Sequence, residues 1–212
     1  MKYKSTYLAS LLLSLVALFA VICPSAQATY IATLDQVGAD LLVTGTGSID
    51  FTDLTFINSL SNGFPNIEAS VAQLRLGSPF STVSQYSGIS GPTSFGSGTM
   101  FNTFADSGSG NLVGVAGSIG RITVPTSYTS GTPLGISTAT WNNESFASLG
   151  ITPGTYVWTW GSGIHADSFT LNILQPNSVP DSGSTVALML GAVGTLVAFR
   201  STLARAATGK LR

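Results

Sequence analysis

The chain has 212 residues, only 8% of them charged, and a formal net charge of −1. Six of its eight Lys and Arg residues lie in the first four or the last thirteen positions, so residues 29–178 keep two arginines against eight acids, a net charge of −6. Nucleic acids and anionic membrane surfaces bind clustered cations, so this balance argues against both as partners of the middle region. That region also lacks cysteine, so no disulfide supports it.

The first 28 residues have the parts of a secretory signal peptide. Two early lysines precede a nearly unbroken apolar stretch, Leu8 to Ile22, and Ala26-Gln27-Ala28 supplies an A-x-A cleavage site. Signal peptidase is therefore predicted to cut after Ala28. Pro24 and the small residues around it argue against a first transmembrane helix. Cys23 follows a bulky isoleucine, so we do not expect it to carry a lipid.

Residues 29–178 have the residue pattern of an all-β domain. Short apolar runs alternate with Gly, Ser, Thr and Pro, and no helical period longer than one turn appears. This pattern is typical of a sandwich or barrel, and about 150 residues suffice for one domain with a sizeable core. We expect a single antiparallel, sandwich-like domain of jelly-roll or Ig-like type.

In the first half of this domain, Gly45-Thr46-Gly47 is predicted to form a turn or bulge. Residues 59–65 are predicted to be loop. Residues 77–110 are rich in Ser and Gly, so we expect long loops there, with short pairings near Phe95 and within 99–104. The predicted strands are Tyr30–Leu34, Asp40–Thr44, Ser48–Phe51, Asp53–Phe56 and Ile67–Leu76.

In the second half, Asn142 to Gly150 is predicted to form one helical turn that ends at its glycine. The last strand alternates, with Phe169, Leu171 and Ile173 on one face and polar residues on the other. The predicted strands are Leu112–Ala116 and Arg121–Val124, joined by a Gly117–Gly120 turn, then Gly135–Trp141, and finally a hairpin of Thr155–Trp160 with Ala166–Leu174.

Three large rings alternate along the first strand of that hairpin. Tyr156, Trp158 and Trp160 share one strand face, which suggests two uses. On an open sheet they would form a platform for sugar rings, as in a carbohydrate-binding module, so polysaccharide is the alternative partner. Buried, they would form the core, and this interpretation is favoured because each ring hides much apolar surface.

Other groups give weaker indications of chemistry. His165, Asp167 and Ser168 are the residue types of a hydrolase triad, but adjacent strand residues point to opposite faces and cannot form the relay. Asp50 and Asp53, with Asp40, supply the oxygen ligands that calcium prefers, although no loop of calcium-binding spacing surrounds them. One histidine and no cysteine in residues 29–178 leave zinc without ligands. The sequence therefore predicts no cofactor and no enzyme.

The last 34 residues have the layout of a membrane anchor. A short polar motif precedes the apolar segment 182–199, and the tail 200–212 carries four basic residues and no acid. Eighteen residues are marginal for a bilayer, whose core needs about 20 apolar residues. The basic tail predicts a cytoplasmic C-terminus, with the domain outside.

The motif itself is Val179-Pro180-Asp181-Ser182-Gly183, and with its helix and basic tail it resembles the VPDSG type of PEP-CTERM sorting signal. The resemblance implies that an exosortase, an integral-membrane protease, recognises these residues and cuts near them. The helix would then be a transient inner-membrane anchor, and residues 179–212 a sorting signal (motif 179–184). One departure is that the basic residues are spread along the tail.

The domain resembles a group of PEP-CTERM proteins in Val43–Asp50, Phe95–Gly98, Phe146–Gly161 and Asp167–Leu171. This resemblance implies an exported β-rich domain with no assigned activity. Together, the signals predict an exported protein with a structural or interaction role at the cell surface or in the extracellular matrix.

Overall fold

The computed structural model describes residues 29–98 and 102–175, which form a mostly β unit, as predicted. Two sheets are built from these ranges, with three single 3-10 turns between strands. The strands are β1 (Thr29–Val37), β2 (Asp40–Gly47), β3 (Thr55–Gly63), β4 (Asn66–Glu68), β5 (Gln73–Leu76), β6 (Ser81–Ser87), β7 (Thr103–Phe104), β8 (Ser107–Ser109), β9 (Val113–Ala116), β10 (Arg121–Pro125), β11 (Ser137–Trp141), β12 (Gly154–Trp160) and β13 (Asp167–Ile173).

The six-stranded sheet has the order β12-β13-β1-β2-β11-β8, and the seven-stranded sheet has the order β3-β6-β10-β9-β5-β4-β7. Neighbouring strands run antiparallel except β1 and β13, which are parallel, with Thr29 opposite Ser168 and Leu34 opposite Ile173. The purely antiparallel prediction is therefore wrong at this pair. A parallel pair needs a long crossover, and here nearly the whole domain supplies it.

One core fills the space between the two sheets. It takes buried side chains from both, including Leu34, Trp141 and Phe169 from the six-stranded sheet and Leu74 and Val115 from the seven-stranded sheet. Inward and outward residues alternate along these strands because successive side chains leave opposite faces. The arrangement is sandwich-like, and burial of this apolar surface is what stabilises a domain with no disulfide.

The seven-stranded sheet is strongly curled. Only two residues, Phe64 and Pro65, separate β3 from β4, although four strands lie between them in the sheet. In a flat sheet that separation would be about 24 Å, whereas three residues span at most about 11 Å. The side that faces away from the core is the inner side of the curl. Val83 and Leu112 are buried there outside the main core, and a Cβ on Gly63 would lie 2.7 Å from Leu112 Cδ2.

Several strand predictions in the second half are confirmed. The hairpin of β12 and β13 pairs antiparallel along its whole length, and β9 joins β10 through the predicted glycine turn. Phe169, Leu171 and Ile173 all face the core. The segment 142–150 contains turns but no helix, and its last residue, Gly150, has the expected left-handed backbone with φ +59°.

In the first half, five predictions are wrong. Residues 59–65 belong mostly to β3, and the Ser-rich region after 77 contains β6. Residues 45–47 continue β2, and 48–51 form only a single bridge, at Ser48. β3 gives no alternation because it is an edge strand with eight of nine residues not buried. The run 67–76 is two strands, broken where Ala72 takes a left-handed conformation with φ +52°.

The predicted signal peptide 1–28, the motif Val179–Gly183, the helix 182–199 and the tail 200–212 lie outside the described residues. Within 29–98 and 102–175, no helix is long and apolar enough to span a membrane.

Candidate functional site

Three connecting segments meet at the end of the six-stranded sheet where β1 begins. They are the loop after β2, the loop 126–134, and the turn 161–166 between β12 and β13. They bring together Asp50, Ser130, His165 and Asp167, which we call the Asp50 cluster. Asp50 and His165 are 115 residues apart in the chain, so only the fold joins them.

Asp50 is the centre of this cluster, and both of its carboxylate oxygens are used. Oδ2 lies 2.8 Å from His165 Nδ1, which is the only ion pair among the described residues. Oδ1 accepts hydrogen bonds from the Ser130 hydroxyl at 2.8 Å and from the Thr52 backbone N–H at 2.9 Å. The backbone carbonyl of Asp50 accepts from Trp160 Nε1 at 2.6 Å, which ties the loop to the core.

Asp167 supports the same loop from beneath. Its side chain is buried, and its Oδ2 accepts a hydrogen bond from the Asp50 backbone N–H at 2.6 Å. Its other oxygen accepts from the backbone N–H of Ser168. These backbone donors are the groups that hold a carboxylate at this position, because a buried acceptor needs partners.

The pKa values of Asp50 and Asp167 are shifted in opposite directions. Burial raises the pKa of Asp167 from 3.8 to about 6, and its two backbone hydrogen bonds and the charge of Asp50 only adjust this value. Burial acts in the same direction on Asp50, but the hydrogen bonds from Thr52, His165 and Ser130 outweigh it, so the pKa of Asp50 is lowered. The hydrogen bond to Asp50 raises the pKa of His165.

Two further residues hold the segments in place. The Tyr128 hydroxyl accepts the backbone N–H of Ile49 at 2.9 Å and donates to the Thr132 carbonyl at 2.6 Å, so it joins two loops. Gly161 begins the 161–166 turn with φ +67°, and a Cβ there would lie 2.1 Å from the His165 carbonyl oxygen. Only glycine fits this tight turn without displacing His165.

The triad residues make separate contacts. His165 pairs with Asp50, not with Asp167, and the Ser168 hydroxyl lies 3.4 Å from the Thr29 hydroxyl. The pair of His165 and Asp50 has the geometry of a base and its orienting acid. A hydroxyl or thiol placed as nucleophile is not among the contacts of His165 in the described part of the chain. The cluster can hold a proton and fix three loops.

The three carboxylates of the calcium hypothesis do not converge. Asp40 accepts the backbone N–H of Asn143 at the far end of β2, and Asp53 accepts that of Ser162 at 3.2 Å. Across residues 29–98 and 102–175, no group of three or more His, Cys, Asp or Glu is placed to hold a metal ion. The calcium site proposed from the sequence is therefore not formed by these residues.

The aromatic strand faces the core. Trp158 is fully buried, and its Nε1 donates to the Pro92 carbonyl at 2.8 Å, while Trp160 is 5% exposed. Tyr156 is half-buried against Phe95. The rings share one face as the sequence indicates, but loop residues that include Asp50, Pro92 and Phe95 contact them on that face, so they do not form an open platform for sugar rings.

An open cleft of about 330 Å³ lies on the outer side of this hairpin. Exposed Val157 and Thr159 line it from β12, and Asp167 and Ser168 line it from β13. Trp160 also lines this cleft, and no Lys, Arg or His side chain does, so an acid and two hydroxyls are its polar groups.

Sequence reasoning grouped His165 with Asp167 and Ser168, and Asp50 with Asp53 and Asp40, but did not bring Asp50 together with His165 and Asp167. Their contacts join loops from three parts of the chain, and no spacing in the sequence signals such a meeting. Ser130 and Tyr128 had no signal at all, because a single hydroxyl in a Ser- and Thr-rich loop is not distinctive. No protein-family model matches the chain, and neither a curated protein nor a solved structure matches it.

Proposed function

We propose that this is an exported protein whose β domain has a structural or interaction role at the cell surface or in the extracellular matrix. Signal peptidase would release it at Ala28, and an exosortase-like protease would recognise Val179–Gly183 and process the tail. The helix 182–199 would hold the protein in the inner membrane until then. The proposal rests on these signals and on how the described domain fits between them.

The observation that carries the proposal is the position of β1. Within the described residues, β1 pairs with β13 from Thr29 and with β2 from Tyr30, and Thr29 is the first residue that the predicted cleavage would leave. This strand of the six-stranded sheet would therefore keep the pairings described here after cleavage at Ala28.

The other end of the domain supports the same organisation. β13 ends at Ile173, six residues before the motif begins at Val179. Since β1 and β13 are parallel, the new N-terminus and the exit toward the motif are at opposite ends of the sheet. About 20 Å of strand separate them, so the two predicted processing events would act at different ends of the domain.

Mass spectrometry of the protein from native cells, fractionated into membrane and culture medium, tests the proposal. We expect a mature species that begins at Thr29, ends near residues 179–183 and is found at the surface or outside. A variant with Pro180→Ala and Asp181→Ala should keep its tail and stay in the membrane fraction. Ser178→Ala, just before the motif, is the matched control and should be processed normally.

Peptides covering residues 203–212 in the mature membrane-bound protein would show a permanent anchor and contradict the sorting role. Processing of the double variant at the normal position would show that the motif is not what the protease recognises.

A further inference from the structure

Both arginines of the domain lie on the inner face of the seven-stranded sheet, which is the face turned away from the main core. Strand register places Arg75 in one row across the sheet and Arg121 in the next. The first row is Asn58, Gln85, Thr123, Gly114, Arg75, Asn66 and Phe104, and the second is Thr55, Ser87, Arg121, Ala116, Gln73 and Glu68.

This inner face is both concave and polar. Asn66, Gln85 and Thr123 are between 1% and 5% exposed, although the apolar core lies on the other side of their strands. The curl of the sheet encloses them. Amide and hydroxyl groups buried in this way need partners, because burying a polar group without a hydrogen bond is costly.

Arg75 is the charged group in the middle of this concavity. Its Cγ lies 2.8 Å from the position of a Cβ on Gly114, so its stem crosses the bare backbone of β9. Desolvation by burial lowers its pKa, but a guanidinium stays charged at any physiological pH. The site therefore holds a partly buried positive charge.

No carboxylate in the described part of the chain pairs with Arg75. Its closest candidate by register is Glu68, in the neighbouring row, and the one ion pair found there joins His165 and Asp50. Of the nine acids in the chain, only Asp181 lies outside the described residues. A partly buried cation without an acid is costly, and a ligand carboxylate would compensate it through two parallel hydrogen bonds.

A hydrogen-bond acceptor also lacks a partner beside Arg75. Asn66 Nδ2 donates to Asn102 Oδ1 at 2.6 Å, and Gln73 Nε2 donates to the same oxygen at 2.8 Å. The first of these bonds engages the Nδ2 end of the Asn66 amide. Its Oδ1 is buried and makes no hydrogen bond to the described residues, so it can accept one from a ligand hydroxyl.

Aromatic rings lie at one end of the row that contains Arg75. Phe104, two strands from Arg75, is 60% exposed, and Phe64 packs against it and against Phe80, with centroid distances of 5.8 and 4.6 Å. Phe64, Phe104 and Ala105 line an open apolar cleft of about 230 Å³. Phe80 is exposed and has φ +59°, an uncommon conformation for a bulky residue.

We propose that this inner face binds a carboxylate-bearing polysaccharide, with one uronic-acid carboxylate on Arg75, a sugar hydroxyl on Asn66 Oδ1 and the apolar side of a sugar ring against Phe104. This contact needs a single arginine, not the clustered cations that a nucleic acid or an anionic membrane surface requires. The distance from Arg75 to Phe104 is about 10 Å between Cα atoms, two strand spacings, which suits neighbouring sugar units. The polysaccharide would be the partner in the interaction role proposed above. The inference rests on that role, because the protein must be exported to encounter such a polymer.

The test measures binding of a trigalacturonate oligomer to the full chain in detergent by calorimetry. The same oligomer with its carboxylates methyl-esterified is the control ligand. We expect the acid form to bind and the ester to bind about tenfold or more weakly, since a charge-assisted contact is lost. Arg75→Gln should lose about tenfold to a hundredfold in affinity for the acid form. Arg121→Gln removes an identical charge from the next row and should change the affinity by less than about threefold.

Two more variants keep the test decisive if Arg75→Gln does not fold. Arg75→Lys keeps the charge without the paired donors and should weaken binding, and Phe104→Ala changes an exposed ring and should weaken the acid and ester forms alike. Equal binding of acid and ester, or an unchanged affinity in the Arg75 variants, would overturn the proposal, as would a folded chain that does not bind the oligomer.

Two other possible occupants of the inner face would give distinct results. Tighter oligomer binding by Asp181→Asn would assign the inner face to the chain's own tail, and a dimer that dissociates on Arg75→Gln would assign it to a second copy; either overturns the proposal. Binding by the purified chain is independent of sorting. A membrane-retained protein that binds the oligomer refutes only the sorting role, whereas a correctly processed one that fails to bind refutes only this site.

Discussion

The imidazole of His165 and the carboxylate of Asp50 are 2.8 Å apart and join the β12–β13 turn to the loop after β2. Asp50 is held in turn by Ser130 and, through its backbone, by the buried carboxylate of Asp167. One end of the six-stranded sheet, next to the first residue of β1, is therefore fixed by titratable groups. Its stability should depend on pH in a defined way.

The first prediction concerns the melting temperature between pH 3 and pH 8, which should be highest at roughly pH 4 to 5. Asp167, whose folded pKa is about 6 against 3.8 ordinarily, binds protons more readily when folded, so stability falls as pH rises through that window. Because the pKa of His165 is raised, its protonated form adds to the stability of the fold below its ordinary pKa of 6.5. This contribution disappears as the pH rises above that value. Because the pKa of Asp50 is lowered, its ionised form adds to the stability of the fold above its ordinary pKa of 3.8. This contribution is lost as the pH falls below that value.

Calorimetric melting of His165→Gln is the control for this prediction. The variant should keep the fall between pH 4 and pH 6, which belongs to Asp167, and lose the part above pH 6.5. A melting temperature that stays level or rises from pH 5 to pH 8 in the unaltered protein would contradict these assignments.

The second prediction concerns Gly161. Gly161→Ala should lower the free energy of unfolding by at least about 1 kcal/mol more than Gly131→Ala. Both glycines have a left-handed backbone, but a Cβ at 161 meets the His165 carbonyl oxygen at 2.1 Å, and one at 131 meets nothing within 4 Å. Urea denaturation measures the difference. NMR titration should also show the pKa of His165 moving back toward its ordinary value in Gly161→Ala only; equal effects of the two variants would contradict the predicted clash.

The third prediction concerns the Tyr128 hydroxyl. Tyr128→Phe should cost about 1 to 3 kcal/mol, because it leaves the Ile49 N–H and the Thr132 carbonyl without their shared partner. Tyr156→Phe is the matched control, since its hydroxyl donates only to the exposed Thr152 carbonyl, and it should cost less than about 0.5 kcal/mol. Chemical denaturation of both variants decides; a similar small loss in each would show that Tyr128 does not join the loops.

The fourth prediction separates the two uses of the aromatic strand. Trp158→Ala should cost about 3 to 5 kcal/mol, because the ring is fully buried, packs edge-on against Phe169 and donates to Pro92. Val157→Ala, its neighbour on the outer face, should stay within about 0.5 kcal/mol of the parent protein. Unfolding curves give both numbers. A Trp158→Ala protein as stable as the parent would mean that the ring is not part of the core.

The sequence alone determined the all-β class and the hairpin near the end of the domain. In β13, Phe169 and Leu171 alternate with polar residues, and this period of two is a local property that the folded strand keeps. Local signals of the same kind predict the two flanking segments, which lie outside the described residues. Such features are readable because each depends on neighbours within a few residues.

Only the tertiary structure decided how the strands meet. β3 is a polar edge strand whose pairing with β6 comes from the partner strand, so its own residues carry no alternation. The parallel pairing of β1 with β13 joins the two ends of the domain. The contact of His165 with Asp50 and the row that places Arg75 beside Asn66 are likewise long-range or depend on register. Chain entropy lets many such pairings compete, and burial of the whole core selects one of them.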